Sequence, residues 1–124
     1  APWGVHTQPL PDEALVHNFP AVVAPHHASR TADGQTLHIL ELFSAHANKW
    51  SAIQHLAAKW EIPSERIAAI GDEINDVSMI EGAGLGVAMG NAIPAVHEVA
   101  DRRTARNDED GVAAAVERVM AGEW

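Results

Sequence analysis

From Asn48 onward the chain alternates between helical spacing and short apolar runs, and this alternation limits the folds open to it. Trp50, Ile53, Leu56, Ala57 and Trp60 recur at helical spacing, with Asn48 placed to cap the segment and Pro63 to end it. The spacing predicts a helix over 49–60, with Trp50 and Trp60 at core positions. Ile67-Ala68-Ala69-Ile70 is a short apolar run of the kind a buried parallel strand shows. A second helix is predicted through Val77, Met79 and Ile80, stopped by Gly82 and Gly84. Leu85 to Met89 reads as the next strand, after which Asn91 is placed to cap a helix carrying Pro94 in its first turn and Val96 and Val99 on one face. Arg103-Thr104-Ala105 is a weak strand. Asp108 or Asp110 is placed to start a last helix, whose Val112, Val116, Val119 and Met120 are expected to face the core. Helices and strands alternating through short loops imply an α/β fold: a partial Rossmann-like, three-layer core over 47–124 with a parallel sheet between helices. Three strands fall short of the roughly five or six usual in a complete sheet.

Residues 1–46 differ in texture. They hold five of the seven prolines and six of the eight histidines, with weak periodicity. His38 to Phe43 is the clearest strand there, a second is expected around Val22 and Val23, and Asp33-Gly34 between them carries a tight-turn signature. An antiparallel hairpin is the expectation. Neighbouring His26 and His27 diverge on a strand and have no third ligand at a convincing spacing, so they read as surface or cap-lining histidines rather than a metal site.

Composition narrows the function. With no cysteine, disulfides, zinc-thiolate sites and thiol catalysis are excluded. A formal net charge of -9, from 17 acidic and 8 basic side chains, argues against nucleic acid or an anionic membrane as partner. No apolar run approaches the ~18 residues of a membrane span. The start at Ala1 shows no signal-peptide pattern, which makes a cytoplasmic protein the expectation. The lack of an initiator Met there leads to the expectation that the chain begins mid-protein.

The densest chemical feature is Gly71-Asp72-Glu73-Ile74-Asn75-Asp76. Ligands of open parallel sheets bind at the carboxyl ends of strands, and Asp72 directly follows the strand 67–70. Gly71 is read as the point where the backbone turns sharply. A helical turn brings Asp72 and Asp76, four residues apart, to one side with Asn75 beside them. Oxygen donors gathered this way suit Mg²⁺; they equally suit a helix start rich in capping residues. Lys49 opens the helix 49–60, where the macrodipole opposes a cation by about 0.3–1 kcal/mol unless an anion is bound. It either serves an anion or points into water. The glycines of Gly84-Leu85-Gly86-Val87-Ala88-Met89-Gly90 do not have the spacing of a dinucleotide fingerprint and read as structural.

Taken in order, Lys49, Ile70 to Asp76, Met79, Ala83 to Ala92, Ala100-Asp101 and Asn107 to Ala113 resemble the last third of Cof-type hydrolases of the haloacid dehalogenase superfamily. The resemblance covers about residues 36–120 and is firmest over 48–115. It implies a Mg²⁺-dependent phosphatase that acts on a small phosphorylated metabolite, such as a sugar phosphate, through an aspartyl-phosphate. It further implies that Lys49 steadies phosphate and nucleophile charge, that Asp72 ligates Mg²⁺, and that Asn75 contacts phosphate. Asp76 would complete the metal side, from behind the direct ligands or as the lysine's partner. Residues 1–46 would be the tail of an inserted α+β cap.

The family's nucleophile belongs to an Asp-x-Asp that follows an apolar strand, and this sequence contains none. Asp108-Glu109-Asp110 has the letters, but polar Arg102 to Asn107 precedes it. The expectation is therefore a chain with little turnover by itself. Two other readings stand beside it. One is another branch of the superfamily, a sugar-phosphate mutase or a sucrose- or trehalose-phosphate phosphatase; the other is a non-catalytic binding or regulatory module on the same scaffold. A sheet edge left open by missing strands is expected to favour a homodimer.

Overall fold

The computed structural model describes residues 22–23, 26–40, 43–44 and 47–124. The chain divides between Ala47 and Asn48 into two compact units.

In the first unit, β2 (His26–Arg30) and β3 (Thr36–Leu40) pair antiparallel from His26↔Leu40 to Arg30↔Thr36. The turn falls on the Asp-Gly signal: Gly34 takes φ 83°, which a residue without Cβ adopts freely, and the Thr31 N–H donates to Gln35 O at 2.9 Å. β1 (Val22–Val23) pairs antiparallel with β4 (Phe43–Ser44). The strand expected over 38–43 is thus divided between β3 and β4. β2 was not legible in the sequence because His-His-Ala-Ser-Arg has no apolar alternation. The side chains of His26 and His27 lie outside the described residues, as does Trp3.

The second unit opens with α1 (Lys49–Lys59). Asn48 caps it as the spacing predicts: its side-chain oxygen accepts from the Ser51 N–H at 2.8 Å, and the Ser51 hydroxyl accepts from the Asn48 N–H at 3.1 Å. Only Ala57 of α1 is fully buried, while Leu56 and the capping residue Trp60 are exposed, so Trp60 is not a core position. Trp50 is half-buried. Its ring lies on Gly82, where a Cβ would come within 2.3 Å of it, so the glycine that ends the next helix is also the seat for the indole.

A single 3₁₀ turn (Ser64–Arg66) leads into β5 (Ala68–Gly71), and a second (Ile74–Asp76) into α2 (Val77–Gly82). β6 (Leu85–Ala88), α3 (Pro94–Val99), β7 (Arg102–Arg103) and α4 (Gly111–Met120) follow. The three strands form a parallel sheet in the order β5-β6-β7, with Ala69 opposite Gly86 and Val87 opposite Arg102. Asp101 fastens β7 to β6 at both ends of one residue: its N–H donates to Gly86 O and its carboxylate accepts from the Gly86 N–H, each at 2.8 Å.

Pleating sends Ala69 and Ala88 to one face, where Ile80 of α2 and Val96 of α3 bury against them. Ala68 and Leu85 belong to the other face and share a shallow groove with Val119 of α4 and Trp124. Helices therefore flank the sheet, and the fold is α/β as expected.

Two expectations fail in α3 and α4. The N-cap of α3 is Ile93 and carries no side-chain bond, so Asn91 does not cap that helix. In α4, Val112, Val116 and Met120 are exposed, Met120 at 81%, and the buried positions are Gly111 and Ala115. Close approach explains this. A Cβ on Gly111 would lie 2.1 Å from Ala105 O, and the Thr104 hydroxyl donates to Gly111 O at 2.7 Å, so the start of α4 meets the rest of the unit through small residues, while Val119, also expected at the core, is half-buried in the groove with Ala68 and Leu85.

Candidate active site

The polar residues singled out in the sequence gather at the carboxyl ends of the parallel strands. β5 ends at Gly71, and the chain turns into the 3₁₀ segment 74–76 rather than directly into an α-helix. This tighter turn carries Asp76 back over the strand end, where its Oδ2 accepts from the backbone N–H groups of Asp72 at 2.9 Å and Glu73 at 3.1 Å. Gly71 is needed here for a different reason from the one its position suggested. Its φ is not in the left-handed region. A Cβ there would sit 2.5 Å from the Cβ of Asp76, so the glycine makes room for the returning carboxylate.

The other oxygen of Asp76 faces α1. Lys49 Nζ donates to Asp76 Oδ1 at 2.5 Å, across 27 residues of sequence. The Asp76 side chain is 6% exposed and that of Lys49 49%, so the carboxylate is enclosed while the ammonium keeps one side toward solvent. Burial pushes the Asp76 carboxyl up; the Lys49 hydrogen bond, the two backbone donors and the lysine's charge outweigh it and hold the carboxyl below its ordinary value. No acidic residue stands in the first turn of α1, so Asp76 supplies the counter-charge that the helix itself lacks.

Asp72, half-buried, leaves the strand end beside this pair. Its backbone carbonyl accepts from the Ile93 N–H at 2.9 Å and its Oδ2 from Asn91 Nδ2 at 3.0 Å. Asn91 Oδ1 in turn accepts from the Asn107 N–H at 2.8 Å. Three strand-end loops are thus tied together: Met89 N–H to Gly71 O at 2.9 Å, Gly90 N–H to Ala105 O at 3.0 Å, and the bridge through Asn91.

The structure therefore brings Lys49, Asp72 and Asp76 to one place. Asp76 is turned to the lysine and to backbone donors, with both of its oxygens engaged; Asp72 is the carboxylate with an oxygen left over, since Oδ1 has no donor among the described residues. Asn75 lies between them in the 3₁₀ turn, half-buried and without a hydrogen bond among the described residues. Asn91 escaped the sequence reading because Asn before a helical segment with proline in its first turn is indistinguishable from a cap. Its place just after β6, at the same sheet end as Asp72, was the available signal. Asp108 pairs with Arg106 at 3.2 Å, and Asp110 is the N-cap of α4 in the left-handed region with φ 55°, so this run is a helix entry.

The donor chemistry bears on a metal. Among the described residues no group of three or more His, Cys, Asp or Glu side chains converges. Mg²⁺ is commonly held by one or two carboxylates, with waters and substrate phosphate completing its shell. One carboxylate with a spare oxygen beside an ammonium fits a share of such a site.

Acid, amide and ammonium thus gather at the carboxyl end of the parallel strands of an α/β unit, the end at which open α/β sheets generally bind ligands. Comparison with known proteins narrows the class. The model of the haloacid dehalogenase-like hydrolases matches residues 13–116. The chain is 50% identical over 76 residues, or 61% of its length, to the 5-amino-6-(5-phospho-D-ribitylamino)uracil phosphatase YitU of Bacillus subtilis, and 51% identical over 76 residues to the phosphatase YwpJ of the same organism. It spans 28% and 27% of those two proteins. Among solved structures, a haloacid dehalogenase-like hydrolase from Bacteroides thetaiotaomicron matches with a TM-score of 0.66 and 37% identity, covering 87% of this chain and 38% of that one. The subclass IIB sugar phosphatase BT4131 matches with a TM-score of 0.67 and 27% identity, covering 86% and 38%. The chain belongs to the haloacid dehalogenase-like hydrolase family, in its Cof-type branch.

Proposed function

We propose that this chain carries the cation- and phosphate-holding half of a Mg²⁺-dependent phosphatase site acting on a small phosphorylated metabolite. The observation that supports it most is the Lys49–Asp76 pair at 2.5 Å, anchored on the backbone of Asp72 itself. The clamp fixes an ammonium next to a carboxylate with a free oxygen, at the end of the sheet where ligands bind. Phosphoryl transfer asks little covalent chemistry of a protein and much positioning and charge neutralisation. Lys49 would neutralise phosphate oxygens with the part of its ammonium that faces solvent, and Asp76 would hold that ammonium in place. Asp72 Oδ1 would be the metal's carboxylate oxygen, and Asn75 would donate to phosphate. Bound Mg²⁺ would neutralise charge on the transferring phosphoryl group.

The substrate class follows that of relatives, one a phosphatase of a phosphorylated ribitylaminouracil and another a sugar phosphatase. Transfer would run from the ester to an aspartate and then to water. That aspartate belongs to an Asp-x-Asp after an apolar strand, which these 124 residues do not contain, so the chain binds and does not turn over. Among the described residues no helix is long and apolar enough to cross a membrane. β5 is an edge strand of its sheet among the described residues, and a homodimer through that edge is expected; a clean monomer in size-exclusion chromatography would count against it.

p-Nitrophenyl phosphate tests the proposal. With Mg²⁺ the chain should bind it, Lys49→Met and Asp72→Asn should each abolish binding, and no nitrophenolate should appear. Binding indifferent to Mg²⁺ and to both substitutions would overturn the site, and metal-dependent release of nitrophenolate would overturn the half-site.

A further inference from the structure

We infer that Asn91 is a positioning residue for Asp72: it holds one carboxylate oxygen so that the other is presented to a cation. The inference rests on the metal reading of Asp72 and adds a residue to it.

Three observations carry it. Asn91 Nδ2 donates to Asp72 Oδ2 at 3.0 Å, and no other side chain among the described residues bonds that carboxylate. The orientation of the amide is fixed by chemistry: a backbone N–H only donates, so the Asn107 N–H at 2.8 Å requires Oδ1 of Asn91 on its side, which leaves Nδ2 to face Asp72. Nor is Asn91 occupied as a helix cap, since Ile93 is the N-cap of α3. Its side chain has both ends committed, one to the candidate ligand and one to the loop after β7.

The bridge does two things. A charge-assisted hydrogen bond to Oδ2 restricts the Asp72 rotamer and leaves Oδ1 as the oxygen without a protein donor. It also ties the loop at Asn107 to the carboxylate at the end of β5, so the three strand ends present one fixed donor instead of a rotating one. Groups behind a ligand that orient it typically account for about 10–100-fold in metal affinity.

The test uses the 124-residue chain labelled with ¹⁵N, with Mn²⁺ as probe. One Asn91 side-chain amide proton should resonate downfield in the unsubstituted chain and lose that shift in Asp72→Ala. Asn91→Leu and the shorter Asn91→Ser, which cannot reach Asp72, should each weaken Mn²⁺ binding by about 10-fold or more. Asp72→Asn should abolish the binding. A purely structural Asn91 would alter urea stability and leave the Mn²⁺ dissociation constant where it was. Equal affinity in the Asn91 variants, or an Asn91 amide indifferent to Asp72→Ala, overturns the inference. If the unsubstituted chain shows no Asp72-dependent Mn²⁺ binding, the metal reading itself fails. The bridge from Asn91 to Asp72 is then decided by the amide resonance alone.

Discussion

Replacing Lys49 with Met asks whether its ammonium belongs to Asp76 or to the solvent, and the two cases differ in sign. A lysine that merely sits at the start of α1 opposes the helix dipole, so removing it would stabilise the fold by about 0.3–1 kcal/mol. A lysine paired with Asp76 does the reverse. Breaking a buried pair by deleting one partner costs about 3–5 kcal/mol, while exposed pairs contribute about 0.2–1 kcal/mol. With the Asp76 side chain 6% exposed and that of Lys49 49%, water replaces part of the lost partner. The pair then contributes about 1–2 kcal/mol, and after relief of the dipole clash Lys49→Met should lose a net of about 1 kcal/mol at pH 7. Acid supplies a second check. The folded Asp76 carboxyl lies below its ordinary value, so the unfolded chain takes up the proton first and acid favours unfolding. The pair's contribution is fully present above about pH 3.9, the ordinary aspartate value, and is lost as the pH falls below it through the folded value. Urea unfolding followed by far-ultraviolet circular dichroism at pH 7 and in steps down into acid measures both effects. The gap between the parent chain and Lys49→Met should close in acid and, with only the dipole clash left, reverse by about 0.3–1 kcal/mol. A Lys49→Met chain as stable as its parent, or more so, refutes the pairing; a gap that persists at the lowest pH refutes its ionic origin.

Gly71→Ala should destabilise by about 1–3 kcal/mol in the same urea assay, because its Cβ would press on Asp76 at 2.5 Å; a neutral result would mean that the Asp76 side chain lies elsewhere. Asn48→Ala should cost about 1 kcal/mol through loss of the capping box, read as reduced stability and helical ellipticity. Val116→Gln and Met120→Gln should each fall within about 0.5 kcal/mol of the parent, since both side chains are exposed; losses of 2 kcal/mol or more, as core truncations cost, would restore the buried face expected from periodicity.

What the sequence disclosed depended on how local the cause was. Asn48, Pro63 and Asp33-Gly34 act within a turn of themselves, so α1 and the hairpin turn were placed within a residue or two. The apolar run at Ile67 to Ile70 located β5 one residue early. The candidate site was legible as a set of residues, because Lys49, Asp72 and Asp76 are of types that point to chemistry. Their connections were not. The bond from Lys49 to Asp76 spans 27 positions and arises from the packing of α1 near α2. Asn91 and Asn107 meet only because β6 and β7 are parallel neighbours whose loops emerge at the same end. Periodicity found the apolar stripe of α4 but cannot report what covers it; the contact face there is set by how closely Gly111 and Ala115 let the helix approach. Gly71 was singled out for the wrong physical reason, since a missing Cβ and a permissive φ look the same in one letter.

Most directly, the convergence of Lys49 and Asp72 on one ligand is tested by the ³¹P relaxation of inorganic phosphate in the presence of the chain and Mn²⁺. The account predicts strong paramagnetic enhancement from a phosphate held beside the cation. It should disappear in Asp72→Asn, which lacks the metal's oxygen, and in Lys49→Met, which lacks the ammonium. Enhancement no greater than that of Mn²⁺ and phosphate alone, or equal in all three chains, would contradict it.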